Sequence, residues 1–104
     1  MIEVLKSLFG LGPKVDYATL VKQGAMLVDV RSKGEYANGH IRGSINIPLD
    51  QLRNNLNRFK DKEKVIITCC ASGNRSGMAK NILKEKGYTH VYNGGGWMSL
   101  QHKL

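Results

Sequence analysis

Four short apolar runs punctuate the chain, each bounded by polar or glycine-bearing turns. "MLVDV" (26–30) and "VIITC" (65–69) are continuous and rich in β-branched side chains, the pattern of strands covered on both faces. "INIP" (45–48) alternates and stops at proline, and "HVY" (90–92) reads as a last short strand before "NGGG". Between these runs the apolar spacing lengthens to that of helices. Asp16 can cap a short helix carrying Tyr17, Ala18, Leu20 and Val21, which Gly24 ends. Ser32 followed by Glu35 forms a capping box and predicts a short helix over 33–38 that closes at Gly39. Leu49, Leu52, Leu56 and Phe59 make the apolar stripe of a further helix, with Asn, Arg and Lys outward. Met78, Ala79, Ile82 and Leu83 form the inner face of another, terminated by Gly87.

Strands alternating with helices imply right-handed crossovers, so the fold class is α/β, a mainly parallel sheet with helices on both faces. Ligands of such sheets bind beyond the carboxyl ends of the strands, which selects the loop after 65–69, "CCASGNRSG". At 104 residues and 41% hydrophobic content the chain holds one domain with a true core, which excludes a disordered chain. Gly10, Gly12 and Pro13 divide a segment at 1–13 from a domain at 14–104. Ile2, Leu5, Leu8 and Phe9 fall on one helical face, so residues 1–13 are expected to form a short helix. That stretch, broken by Glu3 and Lys6, is expected to be neither a signal peptide nor a stable membrane insertion, being too short to span a bilayer.

The formal net charge of +8 changes the picture of partners. Its Lys and Arg residues are dispersed, mixed with acids in "KDKEK" (60–64), and not interleaved with aromatic residues. Nucleic acid is therefore not expected, whereas a small anionic substrate suits a general positive field. Two adjacent cysteines are a poor disulfide framework, and with no other cysteine present the expected setting is reduced and cytoplasmic. His40, His90 and His102 share no ligand spacing with each other or with the cysteines, so neither a metal nor another cofactor is expected.

Strand parity sorts the two thiols. Val65, Ile67 and Cys69 share one face, which assigns Cys69 to packing, while Cys70 falls where the chain leaves the sheet. The next helix is expected to begin near Arg75 or Ser76, its free amides facing back into a loop that Ala71, Ser72 and Gly73 allow to curl. Such a nest of donors favours the thiolate of Cys70. A free thiol near 8.5 falls to about 3.5–7.5 beside a helix N-terminus. Arg75 adds a permanent charge and a planar donor fork suited to an oxyanion, or alternatively to a salt bridge that holds the loop.

With these residues in place, the chain closely resembles the rhodanese-like sulfurtransferases. "CASGNRS" (70–76) is similar to the family's active-site loop, "LVDVRSKGEYANGHIRGSINIP" (27–48) resembles its upstream signature, and "GYTHVYNGGGW" (87–97) its closing strand and glycine turn. The resemblance implies a rhodanese-like domain with a five-stranded, mainly parallel sheet. It also implies that Cys70 takes a sulfane sulfur from a donor, thiosulfate or a persulfide, and passes it to cyanide, a thiol or a protein acceptor. Arg75 would share the catalytic role, and Ala71, Ser72, Gly73, Asn74 and Ser76 would bind substrate through the loop. Asp29 and Arg31 are expected to tie loops together, Glu35 to cap its helix and His40 to serve a turn, while Trp97 either lines the pocket or covers the core.

Two features depart from the family pattern. Ala71 stands where thiosulfate-using members often carry a basic residue, which opens the donor to a protein persulfide; and Trp97 follows Gly96 directly. Two other readings are a cysteine phosphatase or arsenate reductase of related fold, whose loop is one residue longer, and a non-catalytic sulfur-carrier module.

Overall fold

The computed structural model describes residues 14–104, and the helix expected over 1–13 lies outside the described residues. Asp16 caps α1 (Tyr17–Lys22) by accepting from the Thr19 amide, and Gly24 follows at φ +100°, a conformation natural to glycine. The strands are β1 (Met26–Asp29), β2 (Ile45–Asn46), β3 (Ile66–Cys70) and β4 (Val91–Gly96). All pairings are parallel, in the order β2-β1-β3-β4. The described residues therefore form four strands where the resemblance implied five.

Parity within the strands builds two cores. Val28, Ile66, Cys70 and Val91 face one side, which is covered by the 3-10 helix Leu49–Arg58 and by a long helix at Asn74–Glu85. Leu27, Ile67 and Cys69 face the other, where Tyr17, Leu20 and Val21 of α1 and Leu100 of the last helix close over them. Numbered in chain order, the remaining helices are α2 (Lys33–Ala37), α3 (Asn74–Glu85) and α4 (Trp97–Gln101). The expected coverage of both faces is thus observed.

Four local expectations are corrected. The stripe Leu49, Leu52, Leu56 and Phe59 faces the core, but on a 3-10 helix kinked at Asn55, whose side chain donates to the Gln51 carbonyl at 2.7 Å. An asparagine that bonds its own backbone competes with an α-helix there. Met78 was expected inward yet is 57% exposed, and Ser76 takes a buried place on α3 instead. α3 starts at Asn74, slightly earlier than expected, after Gly73 at φ +106°.

The last strand does not stop before the glycines but runs through them to Gly96. A bulge lies between Thr68↔Asn93 and Cys70↔Gly96, and Gly95 at φ +83° accommodates it. A Cβ on Gly96 would stand 2.9 Å from the Ala71 carbonyl oxygen, so the absent side chain lets β4 lie directly on the loop after Cys70.

Candidate active site

Cys70 is the final residue of β3 rather than the first of the turn. Its parity is that of Ile66 and Thr68, so its side chain points toward α3 while Cys69 points to the opposite core. The chain then passes through exposed Ala71 and Ser72, turns at Gly73 and enters α3. This puts the sulfur at the open amides of a twelve-residue helix. The Gly73 amide donates to Cys70 Sγ at 2.9 Å, and the fully buried Ser76 brings its Oγ to 3.3 Å.

Two opposed influences act on that thiol. Burial of Cys70, which is 1% exposed, is the larger single one and pushes its pKa up. Hydrogen bonds from the Ser76 hydroxyl and from the amides of Ser76, Gly73 and Ser72 together outweigh it and leave the pKa below that of an ordinary thiol. Among the described residues no such donor meets Cys69. Its own burial, and then the Asp29 carboxylate, push it up to about 12. The two neighbouring thiols are thus shifted in opposite directions.

The other expected residues take definite places. Arg75 donates through Nη1 and Nη2 to the two carboxylate oxygens of Glu35 at 2.7 and 2.9 Å, a bidentate pair joining α3 to α2. Of the two roles open to Arg75, the structure displays the clasp. Glu35 also completes the expected capping box with Ser32, and is lowered to about 2, first by Arg75 and then by the Ser32 amide. Asp29 and Arg31 form a buried pair at 2.7 Å; Arg31 also donates to the Gly39 carbonyl and stacks 4.7 Å from the Trp97 ring. They tie β1 to the following turn, as expected. Trp97 covers the second core and closes against Gly39, where a Cβ would approach its ring to 3.1 Å. His40 stacks on Tyr36, and its ring nitrogen meets the Tyr36 carbonyl at 2.7 Å, the expected turn role.

The loop's donors are fewer than the sequence suggested. The amides near the sulfur belong to Ser72, Gly73 and Ser76, whereas Ala71 faces Gly96 of β4 and Asn74 opens the helix. Asn93 was missed. Its side chain accepts from Ser76 Oγ at 2.6 Å and from the Gly95 amide at 2.9 Å, and donates to the Gly73 carbonyl at 3.2 Å. Only its place before "GGG" marked it in the sequence, because its partners lie across the sheet. Beside Arg75 a cleft of about 280 Å³ is lined by Val30, Ser32, Pro48, Leu49 and Asp50. Among the described residues no cluster of His, Cys, Asp and Glu could hold a metal ion.

The family described as the rhodanese-like domain matches residues 15–103, a span that includes β3, the loop after Cys70 and α3. The chain belongs to that family. Among rhodanese-like relatives it is 43% identical over 70 residues to the thiosulfate sulfurtransferase PspE of Escherichia coli (strain K12), covering 66% of this chain and 67% of that protein. Against the uncharacterized protein YqhL of Bacillus subtilis (strain 168) it is 41% identical over 69 residues, covering 66% of this chain and 54% of that longer protein. The solved human single-domain sulfurtransferase TSTD1 superposes with a TM-score of 0.76 at 29% identity, over 89% of this chain and 98% of that one. Two of these relatives, PspE and TSTD1, are sulfurtransferases by name, which supports sulfur transfer at the level of the family. Among the described residues no helix is long and apolar enough to cross a membrane.

Proposed function

We propose that the protein is a sulfurtransferase that moves a sulfane sulfur through a persulfide on Cys70. One observation carries this reading: the Gly73 amide and the Ser76 hydroxyl converge at 2.9 and 3.3 Å on a single atom, Cys70 Sγ. The Gly73 amide, joined by the Ser76 hydroxyl once it turns to a charged sulfur, stabilises a thiolate and the charged persulfide that replaces it. A phosphatase would need its arginine free to grip a tetrahedral oxyanion, whereas the Arg75 fork is occupied by Glu35.

In the first displacement the Cys70 thiolate attacks the outer sulfur of the donor. The new Sγ–S bond forms as the donor's S–S bond breaks, and sulfite leaves from thiosulfate or a thiolate from a persulfide. In the second, a thiolate or cyanide attacks the outer sulfur and the Cys70 thiolate departs. No net oxidation or reduction is needed, and the two displacements predict ping-pong kinetics. The amides of Ser72, Gly73 and Ser76 bind the transferred sulfur, with Ala71 and Asn74 shaping the loop. Arg75 supports the negative charge from its place beside Glu35. Because Ala71 offers no cation to a dianionic donor, a protein persulfide is the favoured donor and thiosulfate the slower one.

Intact mass after incubation with thiosulfate or a persulfide donor tests the proposal. The expected product carries one added sulfur, is lost on reduction and does not form in Cys70→Ser. Absence of the adduct with every donor would leave only an inert binding module. Hydrolysis of an aryl phosphate that depends on Cys70 would establish the phosphatase reading instead.

A further inference from the structure

The Ser76 hydroxyl owns one proton and has two claimants. Its Oγ lies 2.6 Å from Asn93 Oδ1 and 3.3 Å from Cys70 Sγ. The orientation of the Asn93 amide is settled by its other partners. The Gly95 N–H at 2.9 Å can only meet an oxygen, and the Gly73 carbonyl at 3.2 Å can only meet the NH2 group. Oδ1 is therefore an obligate acceptor, and a contact of 2.6 Å between it and Ser76 Oγ requires the hydroxyl proton to lie between them. With the proton in that place the Ser76 lone pairs face the sulfur and can accept from an S–H, and donation to a thiolate requires the hydroxyl to turn.

We propose that Asn93 is a positioning residue that competes with the Cys70 sulfur for the Ser76 proton, holding it in the thiol form and yielding it when the sulfur becomes charged. The transfer of the proton's direction leaves no orphan. When the hydroxyl turns to the sulfur, the Gly95 amide still satisfies Oδ1, and the Gly73 carbonyl keeps both the Asn93 NH2 and the Gly77 amide at 3.0 Å. Such an arrangement tempers the thiol rather than maximising its ionisation. That is useful for sulfur exchange, where nucleophilicity falls with thiol pKa and the best attacking thiol titrates near ambient pH. The inference rests on the persulfide reading for its purpose, but its geometry does not.

Among the described residues, the ionisable groups near the site are Arg75 on α3 with Glu35 of α2, Cys69 on β3 with the Asp29–Arg31 pair of β1 beside it, and Tyr17 of α1, whose hydroxyl donates to the Asn93 backbone carbonyl at 3.2 Å. The ring of Tyr92 on β4 joins the opposite core. A substitution at Asn93 leaves these charges in place but also removes its bonds to Gly73 and Gly95, so the proton competition is read from the difference between the Ser76 and Ser76→Ala backgrounds.

The experiment follows the rate of Cys70 alkylation by iodoacetamide, and thiolate ultraviolet absorbance, against pH in the full chain. Asn93→Leu, close in shape but with no acceptor, is expected to lower the midpoint of ionisation by about one pH unit. Asn93→Ala, which admits water, should lower it less. In a Ser76→Ala background the same substitutions should leave the midpoint unmoved. An unchanged or raised midpoint in both Asn93 variants overturns the proposal, as does an undiminished drop without Ser76. Sulfur uptake is read independently by mass, so a shifted midpoint with no adduct would defeat the transfer reading and leave the proton competition standing.

Discussion

Two adjacent cysteines differ in chemistry because one residue of strand parity separates them. Cys69 faces the core of Leu27, Ile67 and Leu100 beneath α1 and α4, where burial and the Asp29 carboxylate push its thiol up to about 12. Cys70 faces α3 and receives the Gly73 amide and the Ser76 hydroxyl. At neutral pH the native protein is therefore expected to take one alkyl group, on Cys70, with peptide mapping as the readout. Cys69→Ala should retain sulfur transfer within a factor of about two while losing about 1 kcal/mol of stability in a urea melt. A large loss of transfer with normal stability would place Cys69 in the reaction. This division was legible from the alternation of "VIITCC" alone. Asn93 was not legible, since hydrogen bonds to Gly73 and Ser76 depend on which strand lies beside β3.

Among the elements, α2 and α3 are joined at the site by the Glu35–Arg75 pair. Sequence spacing identified Glu35 as the third residue of a helix and Arg75 as the exit of the loop, yet could not reveal that they meet across 40 positions. The parallel crossovers bring them to the same end of the sheet. Glu35 has a pKa of about 2 in the folded chain against an ordinary 4.5. The unfolded chain therefore binds more protons between these values, and stability rises with pH across that window. The contribution of the pair is complete above pH 4.5 and fades as pH falls through about 2. Glu35→Gln preserves the capping-box hydrogen bonds but removes the charge. Its melting temperature should fall below that of the parent at neutral pH, and the two should converge toward pH 2. A constant difference over that range would show that the pair is not what Glu35 contributes. The 3-10 helix shows another limit: the apolar stripe faced the core as read, but its periodicity did not distinguish a kinked 3-10 helix from an α-helix.

Over the whole molecule, a formal charge of +8 sits on a fold whose two best-placed cations at the site are already paired, Arg31 with Asp29 and Arg75 with Glu35. What remains to attract an anionic donor is the general field rather than a dedicated fork. Such a field is screened by salt, with a Debye length of about 10 Å at 0.1 M. The kcat/KM for thiosulfate is therefore expected to fall on the order of tenfold between low salt and 1 M. With a neutral sulfane donor it should change little. Steady-state assays across that range check the difference, and equal salt dependence for both donors would remove the field from the account.

The α/β class, the capping of α1 and α2 and the opposite facing of Cys69 and Cys70 were all legible in the chain, because each depends on local periodicity, helix capping or strand parity. Only the folded arrangement brings Arg75 onto Glu35 and the Ser76 hydroxyl onto Asn93, and runs the closing strand through its glycines onto the loop. Those outcomes depend on side chains and backbones far apart in the chain, which parallel strand pairing alone brings within hydrogen-bonding reach.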